Sequence, residues 1–177
     1  MHHLSILANA EHYLFTPDDL RALAPDLSDS AYRALLSRAV KAGHLDRVCR
    51  GLYLLERVAP PSGLELFHMA ARLRAGAFNY ISLETVLSEA GVIAQVPINR
   101  ISVMSSGRSN NIRCGRWGAI EFIHTLRRPE QLAGQLRYDA RSRLWWAGVP
   151  LAMRDMRATR RDQDLINLGV VHDKRGP

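Results

Sequence analysis

The chain has 177 residues, of which 47% are hydrophobic and 23% are charged, and this composition is typical of a folded globular protein rather than a disordered or fibrous one. Charged or histidine side chains interrupt every apolar stretch before the roughly 18 residues that a membrane span needs, and residues 1–5 do not begin a secretory signal. We therefore expect a cytoplasmic protein without membrane contact. The net charge of +7 favours a polyanionic partner, although charge alone fits RNA or another anionic surface as well as DNA.

This charge is unevenly distributed along the chain. Residues 1–60 carry seven basic and seven acidic side chains, so the excess of 17 basic over 10 acidic side chains lies in residues 61–177. Within the first sixty, residues 1–29 have one basic and five acidic side chains, whereas residues 30–60 have six and two. We expect the basic half of this segment to face DNA.

The first part of the chain predicts three helices. Apolar residues at helical spacing predict a first helix over residues 4–14. Thr16 caps a second helix that runs to about Ala24, and Ser28 caps a third that runs to about Ala42. The predicted buried stripe of the third helix consists of Leu27, Ala31, Leu35, Ala39 and Val40.

Two short strand-like runs follow, at residues 44–48 and 52–55, with a tight turn at Gly51 between them. Three helices and then a hairpin are the element order of a winged helix-turn-helix, which we place at residues 1–58. The proline- and glycine-rich residues 59–63 then indicate a domain boundary.

Residues 64–177 predict a small mixed α/β domain, so the fold class of the whole chain is α+β. The predicted helices are 64–75, 82–90 and 153–168, and the predicted extended segments are 78–81, 100–105, 119–124 and, from weaker patterns, 143–146 and 149–152. Residues 107–111 form a turn cluster, so the strands before and after it are expected to pair.

In a helix-turn-helix the second helix of the pair lies in the major groove, and exposed residues near its N-terminus meet base edges. Arg33 could form a forked contact with a guanine, and Lys41 could contact a phosphate. Arg47 and Arg50, in the hairpin, would reach the DNA backbone or the minor groove. The predicted DNA-binding residues are Ser28, Ser30, Tyr32, Arg33, Ser37, Lys41, Arg47 and Arg50. An ordinary solvated helix face beside a hairpin gives the same pattern, because winged folds also serve protein contacts.

Arginines recur around one turn and at helical spacing later in the chain. A second nucleic-acid patch would consist of Arg108, Arg113, Arg116, Arg154, Arg157, Arg160 and Arg161. The alternative is a solvated helix whose arginines pair locally with Asp155, Asp162 and Asp164. The three tryptophans, Trp117, Trp145 and Trp146, are predicted to be core residues rather than platforms for base stacking.

No residue pattern indicates catalysis, a cofactor or a metal site. The seven histidines lack metal-ligand spacing, and the two cysteines, Cys49 and Cys114, are too few for a zinc site or a disulfide framework. Glu121 and His124 are three residues apart on a predicted strand, so they are expected on opposite faces. The turn at 107–111 has neither the P-loop lysine nor the Rossmann glycine spacing.

Several short segments resemble a known family. Arg-Val-Cys-Arg-Gly-Leu-Tyr-Leu at 47–54 follows a helix ending in Lys-Ala-Gly, and Asn-Tyr-Ile-Ser-Leu-Glu-Thr-Val-Leu-Ser at 79–88 precedes Gly-Val-Ile at 91–93. Together these segments are similar to the AbiEi-type antitoxins of type IV toxin-antitoxin and abortive-infection systems, over roughly residues 10–125. The later strand typical of such antitoxins is kept at 147–152, but the helix motif expected after it is not.

The resemblance implies a repressor that binds its own promoter and a C-terminal domain that helps to counter a nucleotidyltransferase-like toxin. The leading hypothesis is therefore a repressor and antitoxin that binds operator DNA, with no cofactor and no catalytic residue. The rival hypothesis is a non-catalytic module that uses the winged helix to bind a protein partner, such as the toxin, or an RNA.

Overall fold

A computed structural model describes residues 13–55, 63–94 and 99–161. Contacts between Cα atoms divide the chain into an N-terminal unit, Met1–Leu73, and a C-terminal unit, Arg74–Pro177. The described part of the N-terminal unit contains the predicted second and third helices and then the hairpin of a winged helix-turn-helix, and a sheet-rich α/β unit follows it. The α+β fold class is therefore confirmed.

The described elements of the N-terminal unit are β1 (Leu14–Phe15), α1 (Pro17–Arg21), α2 (Asp29–Lys41), β2 (Leu45–Cys49), β3 (Leu52–Leu55) and α3 (Glu65–Leu73). Most of the predicted first helix, over residues 4–14, lies outside the described residues. At its end the prediction is wrong, because Leu14 pairs with Leu54 in a sheet.

Side-chain caps define the start of both α1 and α2. At Thr16 a reciprocal capping box forms with Asp19, so that α1 begins where the sequence predicts, although it ends at Arg21 rather than near Ala24. The Ser28 hydroxyl accepts a hydrogen bond from the Ala31 amide and starts α2, as predicted.

The buried side of α2 differs from the predicted stripe. Tyr32 and Leu36 are the buried residues of this helix, whereas Leu35 is 37% exposed. The predicted stripe was therefore wrong at Leu35, because the aromatic ring of Tyr32 places the core-facing side one residue further along the helix. Phe15, Leu20, Leu45, Tyr53 and Leu55 complete this core.

Three antiparallel strands form the wing and its base in the described part of the N-terminal unit, in the order β1-β3-β2. The β2–β3 hairpin turns at Gly51, whose φ of +86° is costly for other residues. A register shift between Arg47 and Cys49 marks a β-bulge just before this turn.

Helix α3 belongs to the N-terminal unit and is tied to it by side chains. The Tyr13 hydroxyl and the His68 ring are hydrogen-bonded and buried, and the Arg72 guanidinium donates to the Asp19 carboxylate. Asp19, which forms the capping box of α1 with Thr16, is thus also the ion-pair partner of Arg72 in α3.

The described elements of the C-terminal unit are β4 (Asn79–Ile81), α4 (Leu83–Glu89), β5 (Arg100–Ser105), β6 (Asn110–Arg113), β7 (Ala119–His124), β8 (Leu136–Asp139), β9 (Leu144–Ala147) and α5 (Val149–Ala158). The strands form a six-stranded mixed sheet in the order β6-β7-β5-β4-β9-β8. Strands β5 and β7 have the predicted bounds and pair in parallel.

Three predictions for this unit are wrong. Residues 149–152 form the first turn of α5 rather than a strand, since Gly148 is the N-cap and a proline follows at the start of the helix. Asn110 and Asn111 lie in β6 instead of a turn, and β8 was not predicted. The predicted helix 153–168 ends at Ala158 within the described residues.

A buried carboxylate inside the C-terminal unit is paired with hydrogen-bond donors. Asp155 is fully buried, and its carboxylate accepts hydrogen bonds from the Ser82 hydroxyl, at 2.7 Å, and from Arg127. Burial disfavours the charged guanidinium of Arg127, but the facing carboxylate outweighs burial and raises the Arg127 pKa. Burial, together with the charge of Asp155, also raises the pKa of Tyr80 to about 12.

Candidate nucleic-acid interface

Helix α2 is held in place from its buried side. The Tyr32 hydroxyl donates to the carbonyl oxygen of Pro17, at the start of α1. Arg21, at the end of α1, lies over the Tyr32 ring at 4.8 Å from its centroid and donates to the Leu27 carbonyl oxygen at 2.6 Å. These contacts fix the angle between the two helices and the turn that joins them.

The opposite side of α2 is exposed. Ser30, Arg33, Ser37 and Lys41 are all exposed, and at about 100° per residue they fall within a quarter-turn of the helix. We call these four residues the exposed arc. It contains two cations and two hydroxyl groups, which can donate to phosphates and base edges.

Two predicted DNA-binding residues have structural roles in α2. Tyr32 is 7% exposed and belongs to the core, so the prediction that it is an exposed contact residue is wrong. The Ser28 hydroxyl is exposed, but it accepts from the Ala31 amide at 3.3 Å as the helix cap. Ser28 therefore determines where the exposed arc begins.

Arg38 is an exposed cation of α2 that the sequence reasoning missed. It lies opposite Leu36, because two residues turn the helix by about 200°. Because Leu35 was predicted to be a core residue, the exposure of Arg38, three residues further along the helix, was not predicted. Once Tyr32 and Leu36 define the buried side, the helical period places Arg38 on the exposed side.

Both predicted wing residues are exposed. Arg47 lies in β2, opposite Tyr53 of β3, and Arg50 lies in the turn next to Gly51. The bulge after Arg47 changes the direction of the strand just before the turn. The wing therefore presents two cations on a short, bent hairpin.

Acidic residues of the N-terminal unit are partly neutralised by arginines. Burial raises the pKa of Asp19, but hydrogen bonds from Arg72 and Thr16 outweigh burial and hold it below the ordinary range. Asp29, in the first turn of α2, lies 3.4 Å from the Arg21 guanidinium. These pairs reduce the negative field near the start of α2.

The residues of the predicted second patch fall into two classes. Six of the seven arginines are exposed, namely Arg108, Arg113, Arg116, Arg154, Arg157 and Arg160. Arg161 is half-buried and donates to both carboxylate oxygens of Glu84, at 2.6 Å, and to Glu121. Its inclusion in an exposed patch was wrong, because the two carboxylates engage it.

The alternative of local pairs on the last helix also needs correction. Asp155 points into the core and pairs with Arg127 of another segment rather than with the arginines of α5. Asp162 and Asp164 lie outside the described residues. The exposed arginines of α5 therefore have no partner in Asp155.

The tryptophans differ in exposure. Trp117 is half-buried with Arg116 over its ring at 4.3 Å, and Trp146 is half-buried with its indole N–H donating to Ser142. Trp145 is 42% exposed, so the prediction that it is a core residue is wrong.

Glu121 and His124, which were expected on opposite faces of a strand, have different hydrogen-bond partners. Glu121 accepts from Arg161, whereas the His124 ring lies 2.9 Å from the Gly107 carbonyl oxygen. In residues 13–55, 63–94 and 99–161 no three His, Cys, Asp or Glu side chains are grouped as metal ligands. No helix within those ranges has the length and apolar character needed to cross a membrane.

The fold and the exposed arc define the N-terminal unit as a winged helix-turn-helix. Residues 4–56 match a family described as "Transcriptional regulator, AbiEi antitoxin". This match confirms the resemblance to AbiEi-type antitoxin regulators over these residues. No curated protein matches the chain.

Proposed function

We propose that this protein is a DNA-binding repressor and antitoxin that autoregulates a type IV toxin-antitoxin operon and counters a nucleotidyltransferase-like toxin. The observation that carries the proposal is the exposed arc of α2, which is opposite a side fixed by Tyr32 and Leu36. The family matched by residues 4–56, one of antitoxin regulators, supports the same function.

In this proposal α2 lies in the major groove. Ser30 and Arg33, in its first half, contact base edges, whereas Lys41 at its end contacts a phosphate. Arg47 and Arg50 of the wing contact the backbone or the adjacent minor groove. Arg38 is a further phosphate contact on the exposed side of α2.

The six exposed arginines of the predicted second patch supply additional charge for the same polyanion. The whole excess of +7 lies beyond residue 60, since residues 1–60 are neutral. Binding of the full chain should therefore weaken steeply with salt, because each neutralised phosphate releases counterions.

The test is a titration of the full chain against DNA from upstream of its own gene and against scrambled DNA of equal length. Arg33→Ala should weaken operator binding about 5- to 150-fold, and Arg128→Ala is the matched control. Arg128 is an exposed arginine of the C-terminal unit outside both predicted patches. Equal affinity of the wild type for both DNAs, or equal loss in both variants, would contradict operator reading.

The antitoxin part needs its own experiment. Expression of the full chain should restore growth to cells that express the nucleotidyltransferase-like toxin of the proposed operon, whereas expression of residues 1–73 alone should not. If residues 1–73 restored growth, repression would account for the whole function. If the full chain bound its operator yet failed to restore growth, the repressor role would stand without the antitoxin role.

A further inference from the structure

The edge of the sheet in the C-terminal unit has two exposed aromatic side chains. Tyr138 in β8 is 51% exposed and Trp145 in β9 is 42% exposed. The two residues are directly opposite in the antiparallel register, and their rings meet edge to face with centroids 5.4 Å apart. Among the described strands β8 is an outer strand of the six-stranded sheet, so this pair lies at its edge.

Three arginines lie in the same hairpin as this aromatic pair. Arg137 precedes Tyr138 in β8 and is exposed on the other face of the sheet, whereas Arg141 and Arg143 are exposed in the segment that joins the two strands. The hairpin from 136 to 147 thus contains three arginines and one acid, Asp139. The Asp139 carboxylate accepts hydrogen bonds from the Ser142 and Arg141 amides, so it serves the turn.

We infer that the β8–β9 hairpin binds unpaired nucleotides of a single-stranded nucleic acid. Bases stack on the Tyr138 and Trp145 rings, and Arg141 and Arg143 hold the phosphates. Exposed aromatic rings beside cations are the recurring means of binding single strands, because every unpaired base has a free face for stacking. A duplex cannot use these rings without unstacking its bases.

The positive charge of the hairpin favours a nucleic acid over a protein surface as its ligand. Tyrosine, tryptophan and arginine are also frequent at the centres of protein interfaces. Here, however, the cations outnumber the acid three to one in the hairpin, and the net positive charge of the chain lies in the same part of the sequence. A polyanion with aromatic bases matches both features of the hairpin.

The experiment uses the full chain and three labelled probes of equal length, a uridine dodecamer, a thymidine dodecamer and a blunt DNA duplex. Anisotropy gives the affinity, and tryptophan fluorescence reports stacking on Trp145. We expect both single strands to bind and to quench the fluorescence, whereas the duplex, which α2 and the wing can also bind, should not quench it. The ratio between the uridine and thymidine probes tells whether RNA or DNA is preferred.

Two double variants test how much the two aromatic rings contribute to binding. The double variant Tyr138→Ala, Trp145→Ala should lose about 10-fold or more in single-strand affinity, since each stacked base contributes a factor of about 5 to 150. The double variant Tyr138→Phe, Trp145→Phe keeps two rings, so it should bind within about threefold of the wild type while losing most of the quenching. Circular dichroism confirms that both variants are folded.

Three outcomes would overturn the inference. The first is no single-strand binding by the wild type, and the second is a loss of duplex affinity in the alanine double variant as large as its loss of single-strand affinity. The third is an alanine variant with unchanged affinity; if that variant also changed the oligomeric state, the aromatic pair would instead join copies of the chain. Operator binding by α2 is measured separately, so a failure of either proposal leaves the other intact.

Discussion

Arg33 and Arg50 are both exposed, but their positions predict different defects. Arg33 lies one turn into α2, where a recognition helix contacts bases, so Arg33→Ala should cost about 1–3 kcal/mol on operator DNA and little on scrambled DNA. Arg50 lies beside the wing turn, so Arg50→Ala should weaken both and lower the salt slope by about one. Titrations of both variants at several salt concentrations measure the difference. If neither variant changed either affinity, α2 and the wing would not be the DNA-binding surface.

Asp155 tests how the C-terminal unit tolerates a buried charge. Asp155→Ala should lower the free energy of unfolding by about 2–4 kcal/mol, because the half-buried Arg127 guanidinium loses its counter-ion. Ser82→Ala removes only one hydrogen bond to the same carboxylate and should cost about 1 kcal/mol. Urea unfolding compares the two variants. Equal losses would mean that the ion pair contributes no stability beyond a hydrogen bond.

At Tyr32 and Trp145 the residue type led to a wrong prediction of exposure. Tyr32 was expected on the surface because its hydroxyl can contact DNA, yet that hydroxyl bonds to a backbone carbonyl inside the fold. Trp145 was expected inside because it is large and apolar, yet it lies beside an edge strand. Both depend on contacts between distant residues, which a local pattern does not contain.

Gly118, next to the start of β7, is required by a close approach of two segments. Its φ is +115°, and a Cβ there would lie 1.9 Å from the Asn99 carbonyl oxygen. Gly118→Ala should therefore cost about 2–4 kcal/mol of unfolding free energy. Gly134, with a φ of +74° and open space around it, is the control and should cost about 1 kcal/mol as alanine. Thermal unfolding separates them, and similar losses would show that Asn99 moves aside readily.

The capping box of α1 gives the N-terminal unit a pH dependence. The Asp19 pKa is lowered in the folded state, so its stabilising contribution is complete above the ordinary value of 3.8 and is lost as the pH falls through the folded pKa. The stability difference between the wild type and Asp19→Asn should therefore shrink as the pH falls below about 4.

The neighbouring Asp18 provides the control for this measurement. It is exposed in the same helical turn but is not part of the capping box, so Asp18→Asn should change stability little at any pH. Urea unfolding at a series of pH values gives both differences. A difference for Asp19→Asn that did not vary with pH would mean that its charge contributes nothing to folding.

Elements with a local chemical signal were predicted well. Ser28 and Gly43 bracket α2, and alternating residues give β5 and β7 their bounds. The segment 149–152 was taken for a strand because a short apolar run fits either structure, and the Gly148 cap was overlooked. Strand β8, Leu-Arg-Tyr-Asp, has only four residues and no β-branched side chain, so its short alternation was overlooked.

The N-terminal unit extends past the winged helix to Leu73. A fragment of residues 1–73 should therefore be more stable than one of residues 1–58, because only the longer one contains His68 and Arg72. We expect a gain of several degrees in the melting temperature, measured by circular dichroism. The longer fragment with Arg72→Ala is the control for the ion pair. Equal melting temperatures for the two fragments would make α3 dispensable to this unit.

Affinity for DNA should also differ between the fragment and the whole protein. Residues 1–73 carry eight basic and eight acidic side chains, so the fragment lacks the +7 of the full chain. It should bind operator DNA more weakly and with a shallower salt slope. If the fragment bound operator DNA as tightly as the full chain, residues beyond 73 would not contribute to binding.

The hydrogen bond from Tyr32 to Pro17 separates two tasks within one helix. The side chains that hold α2 in the fold are on one side, and those available to a partner are on the other. Ser30, Arg33 and Ser37 can therefore be exchanged without disturbing the core. After gene duplication, two copies of such a regulator could acquire different operators through a few substitutions, while selection for folding would still preserve Tyr32. Each of several related operons in one cell could in this way be bound by its own regulator and not by the regulators of the others.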